Sequence, residues 1–254
     1  MESIDLNCDA GESFGRYSLG NDKELFKLVT SVNVACGYHA GDHNIMAKTV
    51  KLAEENNVSI GAHPGYQDIN GFGRRDMSLS LDEIYNLMIY QLGALKTMAE
   101  VQGVKLNHVK PHGALYNLAA KNRDVAFTVA KAVKAVDDKL TLYGLSGSEL
   151  CSAGEETGLK VAHEVFADRT YQSDGTLTPR SEPNALIHRT NEAADQILHI
   201  VKHGKVRTVN GDEIPLKADT VCIHGDGEHA IPFAKTLIQR LEKEQIFIKK
   251  IEAK

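Results

Sequence analysis

Short apolar runs that end abruptly in polar clusters recur along this chain: SIDLNCDAGE, SVNVACGYHAGDH, SIGAHPGYQD, LNHVKPHGALYN, KVAHEVFADRTY and TVCIHGDG. Between them lie stretches with apolar residues at three- and four-residue spacing, the period of a helix with one buried face. The pattern predicts strands near residues 3–8, 31–36, 59–62, 106–110, 140–145, 160–166 and 220–224. Helices are predicted near 22–29, 43–56, 80–102, 122–136, 147–156, 184–203 and 229–244. LDEIYNLMIYQLGALKTMAEV carries the helical period over its whole length, and Ser80 with Glu83 forms a capping box at its start. Alternation of strand and helix argues for a parallel sheet with helices outside. One stretch departs from it. KVRTVNGDEIPLK places Asn210-Gly211 between two β-prone runs, a hairpin signal, and reads as an excursion before the last barrel strand. Seven strong strands and a weak eighth at IFIKKI predict an α/β fold, a distorted (β/α) TIM-like barrel of about seven parallel strands. An open doubly wound sheet is the alternative. No linker, low-complexity tract or clear repeat divides the chain, so one domain over residues 1–254 is expected.

If the strands are parallel, the polar clusters all lie on one face, where active sites of such barrels sit. Composition narrows what that face can do. The net charge is −5 and the basic residues are dispersed, which argues against a nucleic-acid surface. Cys8, Cys36, Cys151 and Cys222 form no C-x-x-C pair and read as buried thiols of a reducing compartment. No signal-peptide pattern and no apolar stretch of membrane-spanning length is present, so a soluble, cytoplasmic protein is expected.

Candidate chemistry follows from residue type and position. Asp5, Asn7 and Asp9 alternate along the first strand and point to one side. An inward polar row needs partners or a ligand. It is either a site centred on Asp9, the most terminal, or a hydrogen-bonded core that holds adjacent loops. His39 and His43 stand four apart, the spacing of a metal-binding pair on one helix face. With the upstream Asp9 they form a candidate divalent-metal set comparable to that of polysaccharide deacetylases; Asp42-His43 also reads as a helix N-cap. His63 precedes the turn Pro64-Gly65 and is either a ligand contact or a turn residue. In GFGRR two glycines free the backbone, and Arg74-Arg75 can face an anion or solvent. Lys110 at a strand end can neutralise a carboxylate or a developing oxyanion, and His112 beyond Pro111 can act as general acid or base. Glu164, Asp168 and Arg169 close another strand, where Asp168-Arg169 is also readable as a structural ion pair. Arg180 lies in the loop GTLTPRSEP, and His224 and Asp226 follow the last barrel strand. No Walker A, G-x-S-x-G or G-x-G-x-x-G pattern occurs.

Taken together, DLNCDAGE, NVACGYHAGDH, GAHPGY, GFGRR, HVKPHGALYN, EVFADRTY, GTLTPR and HGD resemble the LamB/YcsF family, the 5-oxoprolinase A subunits, in family order from residue 5 to residue 226. Gln67 stands where that family usually has proline. The resemblance implies a distorted barrel akin to glycoside hydrolases and deacetylases. It implies ATP-dependent opening of 5-oxoproline to L-glutamate, with ATP as co-substrate. It also implies two partner subunits resembling the halves of an allophanate-hydrolase-like, carboxylase-related protein. On that reading Asp9, His39, Lys110, His112 and Asp168 are the catalytic candidates. Asn7, His63, Arg75, Glu164, Arg169, Arg180, His224 and Asp226 are the substrate-binding candidates. Two competing readings are a metal-dependent, deacetylase-like hydrolase using Asp9, His39 and His43, and a non-catalytic protein that binds substrate for a partner.

Overall fold

The computed structural model describes residues 3–223 and 230–253. The strand β1 (Ser3–Ala10) leads through a short helix α1 (Asp22–Leu25) to β2 (Ser31–Ala35), and α2 (His43–Glu55) leads on to β3 (Ser59–His63). Next come α3 (Leu81–Val101), β4 (His108–Val109), α4 (Gly113–Lys121), α5 (Arg123–Val136), β5 (Thr141–Leu145), α6 (Glu149–Glu156) and β6 (Lys160–Phe166). The chain then runs through α7 (Thr190–His203), the antiparallel pair β7 (Lys205–Arg207) and β8 (Glu213–Pro215), β9 (Thr220–Ile223), α8 (Ala230–Lys243) and β10 (Phe247–Ile248).

Strands β1 to β6 pair in chain order, all parallel; β6 pairs with β9, and β9 returns to β1. Seven strands therefore close a barrel, and the open sheet is excluded. The weak eighth run has a different role. β10 pairs with Ser3 and Ile4 of β1, and β9 takes over from Asp5 to Cys8. IFIKKI extends the rim at the start of β1 and does not form an eighth stave. The Asn210-Gly211 hairpin forms as the excursion expected, and Thr208 bridges to Tyr171 in the β6–α7 connection.

The outward sides of the strands (Leu6, Cys8, Val32, Val34, Ala62, Val109, Leu142, Val165 and Val221) join the apolar layer beneath the helices. Among the described residues the four cysteines are all free and buried. No helix among them is long and apolar enough to cross a membrane. The capping box at Ser80 and Glu83 is formed, a feature worth about 1 kcal/mol.

Three helices differ from expectation, the first being α1, which stops at Leu25 and not near 29. Residues 113–121 form α4, a stretch to which the sequence pattern assigns no element. α7 starts at Thr190 and not near 184, because bridges Arg169–Leu186 and Tyr171–Leu177 hold the preceding stretch extended.

The barrel interior is polar where most such barrels pack Val and Ile. At its base, Asp5 Oδ1 accepts from Thr30 (2.7 Å) and Ser31 (2.6 Å), and Oδ2 from Thr220 (2.5 Å) and Tyr143 (3.3 Å). Burial raises the Asp5 pKa, and these hydrogen bonds pull against it. One layer up, Asn7 Oδ1 accepts from Asn33 Nδ2 (2.8 Å), and Asn7 Nδ2 donates to Thr220 Oγ1 (2.8 Å) and Glu164 Oε1 (3.1 Å). His108 Nε2 lies 2.9 Å from Asn33 Oδ1, and its ring stacks on Tyr143 with centroids 4.1 Å apart. Burial above all, helped by the Lys110 charge, pushes the His108 pKa down to about 3. Its Nδ1 also faces an amide oxygen, Asn107 Oδ1 at 3.3 Å, and the shorter contact to Asn33 Oδ1 favours the N–H on Nε2.

Gly61 on β3 makes room for this ring. A Cβ at that position would overlap the imidazole of His108. Gly61→Ala is expected to lower stability by about 1–3 kcal/mol, the range for overpacking a rigid core, read as a lower urea midpoint at unchanged m-value. A wild-type midpoint would show that the ring can move aside.

Candidate active site

The polar ladder ends at the carboxyl ends of the strands in a lysine. Lys110, one residue beyond β4, is 3% exposed. Its Nζ lies 2.9 Å from Asp9 Oδ1 and 2.9 Å from Glu164 Oε1, and donates to Asn7 Oδ1 (3.3 Å) and Cys222 Sγ (3.1 Å). Phe166 places its ring 5.6 Å from the same nitrogen. Burial works against the charge. The Asp9 and Glu164 carboxylates outweigh it and raise the Lys110 pKa well above the usual lysine value. Glu164 also accepts from the Tyr116 hydroxyl (2.7 Å), whose pKa rises through burial and this carboxylate. Asp9 Oδ1 accepts a further hydrogen bond from Asn33 (2.9 Å) and sits 3.4 Å from His63 Nε2.

Three imidazoles gather beside Asp9. His63 Nδ1 lies 2.7 Å from the Lys110 carbonyl oxygen, and His112 Nε2 lies 2.8 Å from the Phe72 carbonyl oxygen. Their other nitrogens, His63 Nε2 and His112 Nδ1, are 2.9 Å apart. His39 stacks on His112 with centroids 3.7 Å apart and planes 6° from parallel, and its Nε2 is 3.3 Å from Glu12 Oε1. Burial is the main cause that lowers the pKa of His39 and of His112 well below the usual histidine value, so both rings are neutral near pH 7. Gly73, at φ +63°, permits the stack: a Cβ there would stand 2.7 Å from His39 Cβ and 2.9 Å from His112 Cδ2. Glu12, His39, His63 and His112 present ligand atoms all within 4.8 Å of one another, a cluster that could hold a metal ion.

A cleft of 520 Å³ opens over this group, lined by Asp9, His63, Lys110 and His112 on its floor and by Arg74, Lys121, Arg169 and Arg180 among its walls. Arg169 is buried, with Nη2 donating to the Thr178 carbonyl (2.5 Å) and Nε to the Ala185 carbonyl (3.3 Å). Burial, and then the neighbouring Arg180 charge, bring its pKa down to about 10, still cationic at neutral pH. Such a wall suits an anion.

The candidates from the sequence therefore divide. Asp9, His63, Lys110, His112, Arg169 and Arg180 meet in the cleft, with His39 packed behind His112. Asn7 and Glu164 lie fully buried beneath Lys110, where they hold the lysine and do not reach the cleft. Asp168 lies outside the described cleft lining; its charge acts on Arg169. His224 and Asp226 lie outside the described residues.

Two expectations are corrected. Arg75 turns away, its side chain 67% exposed and paired with Asp68, and Arg74 lines the cleft in its place. The GFGRR loop can present one arginine inward, and Asp68 takes the other. The set Asp9, His39 and His43 does not assemble. His39 lies in the loop ahead of α2 while His43 is that helix's first residue, exposed and in contact with Asn44, so the two share no helix face. Asp42 caps α2, accepting from the Asn44 and Ile45 backbone N–H groups. Sequence reasoning passed over Glu12, Tyr116 and Asn33. Glu12 sits in the same strand-end cluster as Asp9 and was open to the same argument.

A closed parallel barrel with titratable groups converging at the carboxyl ends of its strands has the layout of a barrel enzyme. The chain belongs to the LamB/YcsF family, whose model matches residues 4–254. The 5-oxoprolinase A subunit of Bacillus licheniformis is 56% identical over 246 residues, 97% of each chain. The lactam utilization protein from Thermus thermophilus is 42% identical, with a TM-score of 0.92 over 98% of this chain and 100% of that one. The GH113 β-1,4-mannanase, 12% identical, has a TM-score of 0.52 over 95% of this chain and 99% of that one, a likeness of fold alone.

Proposed function

We propose that this chain is the A subunit of an ATP-dependent 5-oxoprolinase, which hydrolyses the lactam of 5-oxo-L-proline to L-glutamate while ATP becomes ADP and phosphate. The observation that carries this is 56% identity, over 97% of both chains, to the 5-oxoprolinase A subunit of Bacillus licheniformis. The site is compatible with it. A five-membered lactam is a stable amide, and 5-oxoproline carries a carboxylate. The arginine-lined wall suits that carboxylate and a phosphoryl group, and Asp9 over Lys110 suits proton transfer beside a developing oxyanion.

Phosphoryl transfer to the lactam oxygen releases ADP and makes C5 a better electrophile. Water adds at C5 and gives a proton to Asp9. The C–N bond breaks, the nitrogen takes that proton, and a second water hydrolyses the acyl phosphate to glutamate and phosphate. Lys110 keeps Asp9 ionised and lowers the cost of negative charge on oxygen. Arg74, Arg169 and Arg180 bind the anionic groups. A relative that is one lettered component of an enzyme implies further components. We assign ATP binding to the assembly with two partners, allophanate-hydrolase-like and carboxylase-related, because the sequence has no Walker A loop.

Glutamate release from 5-oxoproline, with and without ATP, tests this on the chain alone and on the chain mixed with its two partner subunits. ATP-dependent glutamate in the mixture is expected; its absence with verified partners overturns the reading. In the same assay Arg74→Ala is expected to raise KM about tenfold to hundredfold, the loss of a charged hydrogen-bonding partner. Arg75→Ala is expected to leave KM unchanged, since its side chain is exposed, pairs with Asp68 and does not line the cleft.

A further inference from the structure

The hydrogen bonds of the histidine cluster fix its tautomers, and the result is a conflict. A carbonyl oxygen can only accept. His63 Nδ1 faces the Lys110 carbonyl at 2.7 Å, so Nδ1 carries the hydrogen and Nε2 of the neutral ring carries a lone pair. His112 Nε2 faces the Phe72 carbonyl at 2.8 Å, so here Nε2 carries the hydrogen and Nδ1 the lone pair. These two nitrogens stand 2.9 Å apart, and with both rings in those neutral tautomers neither has a hydrogen to offer the other. Buried acceptors held this close need a positive centre between or beside them.

A single proton could bridge that pair alone. The cluster converges more widely. Glu12 Oε1 lies 3.9 Å from His112 Nδ1 and 3.3 Å from His39 Nε2. The candidate ligand atoms of all four residues fall within 4.8 Å of one another. Two ligands about 2.0–2.1 Å from one tetrahedral ion stand about 3.3–3.4 Å apart. The separations among Glu12, His63 and His112 run from 2.9 Å to at most 4.8 Å, with 3.9 Å between Glu12 Oε1 and His112 Nδ1, and bracket that value.

We propose that Glu12, His63 and His112 form a binding site for one divalent transition-metal ion of the zinc type, with His39 outside the ligand set and its Nε2 against Glu12, because two parallel rings 3.7 Å apart cannot both aim in-plane lone pairs at one ion. Imidazole and carboxylate together select zinc, cobalt or nickel over magnesium and calcium, which take oxygen ligands. His63 and His112 already have the outer contacts typical of metal-bound histidines, each with its remote N–H on a backbone carbonyl. Two features oppose the ion. Arg74 adds positive charge near His39 and His112. Glu12, His63 and His112 supply three ligand atoms, so water has to complete a four-coordinate shell. Two converging imidazoles and a carboxylate outweigh both. The site differs from the Asp9, His39 and His43 set suggested by sequence spacing. It stands on the geometry of the cluster and not on the lactam reading. When bound, the ion would supply a Lewis acid at the edge of the cleft.

Titration of the isolated full-length chain, stripped with chelator, with Co²⁺ and Zn²⁺ tests the site without any activity measurement. One saturable equivalent of Co²⁺ is expected, with the intense visible absorption of a four-coordinate site, and Zn²⁺ should displace it. Glu12→Gln keeps the size of the side chain at a half-buried position, and is expected to weaken binding about 100-fold or more while circular dichroism stays native. His63→Ala should abolish the cobalt spectrum. Zinc should also raise the thermal midpoint of the wild type and not that of His63→Ala. No saturable one-to-one binding by natively folded wild type overturns the site, as does wild-type affinity in both variants.

Discussion

Lys110→Met is expected to destabilise the fold by about 3–5 kcal/mol, the cost of stranding a buried charge by deleting its partner. The ammonium lies 2.9 Å from both Asp9 and Glu164, and Glu164 is fully buried. Methionine fills much of the volume but leaves the carboxylate of Glu164 facing an apolar group. The Tyr116 hydroxyl and the Asn7 amide still bond to it, yet neither carries charge. The remedy identifies the cause. Adding Glu164→Gln to Lys110→Met is expected to recover about 0.5–3 kcal/mol, the coupling usual for contacting residues. Urea denaturation of the two single variants, the double variant and the wild type measures that coupling. A loss in Lys110→Met below about 1 kcal/mol, within the range of exposed ion pairs, would show that the charge is solvated. The pH dependence has a definite sign. The folded pKa of Lys110 stands above its unfolded value, burial being outweighed by the neighbouring acids. Its contribution is whole below the unfolded pKa of about 10.4 and is lost only as pH rises through the higher folded value.

This hub also explains how far the sequence could be read. Strand positions were legible because each strand has an apolar outer side, as in Leu6 and Cys8 or Val32 and Val34. The inner row Asp5, Asn7 and Asp9 was legible as an anomaly, and its two readings turn out to be layers of one ladder. Asp5 and Asn7 bond only within the core, while Asp9 reaches the cleft. Distances between strands were not legible. Nothing local to Glu164 says that its partner is 54 positions earlier, at Lys110, because the pair is made by barrel closure. The same holds for the choice between Arg74 and Arg75, which depends on where Asp68 sits. His39 and His43 misled for a related reason. A four-residue spacing brings two histidines to one face only if both lie in the helix, and here the helix begins at the second.

Asp9→Asn is expected to lower kcat of the assembled 5-oxoprolinase about 10²–10⁴-fold, the range for losing a positioned general base. Asparagine keeps the shape of the side chain. Its amide oxygen can still accept from Lys110 and Asn33, which bond to Asp9 at 2.9 Å each. Lys110 loses one of its two carboxylates but keeps Glu164, so the fold should be disturbed much less than by Lys110→Met. The variant therefore separates chemistry from scaffolding: a low kcat at near wild-type stability places the proton transfer at Asp9. A KM that stays within a few fold of wild type would fit as well, since substrate binding is assigned to Arg74, Arg169 and Arg180 on the wall of the cleft. Steady-state glutamate release at saturating ATP, beside a urea melt of the same preparation, measures both quantities. Turnover within tenfold of wild type would move the base to the imidazoles. His63, whose Nε2 lies 3.4 Å from Asp9 and which lines the same cleft, would be the next residue to replace.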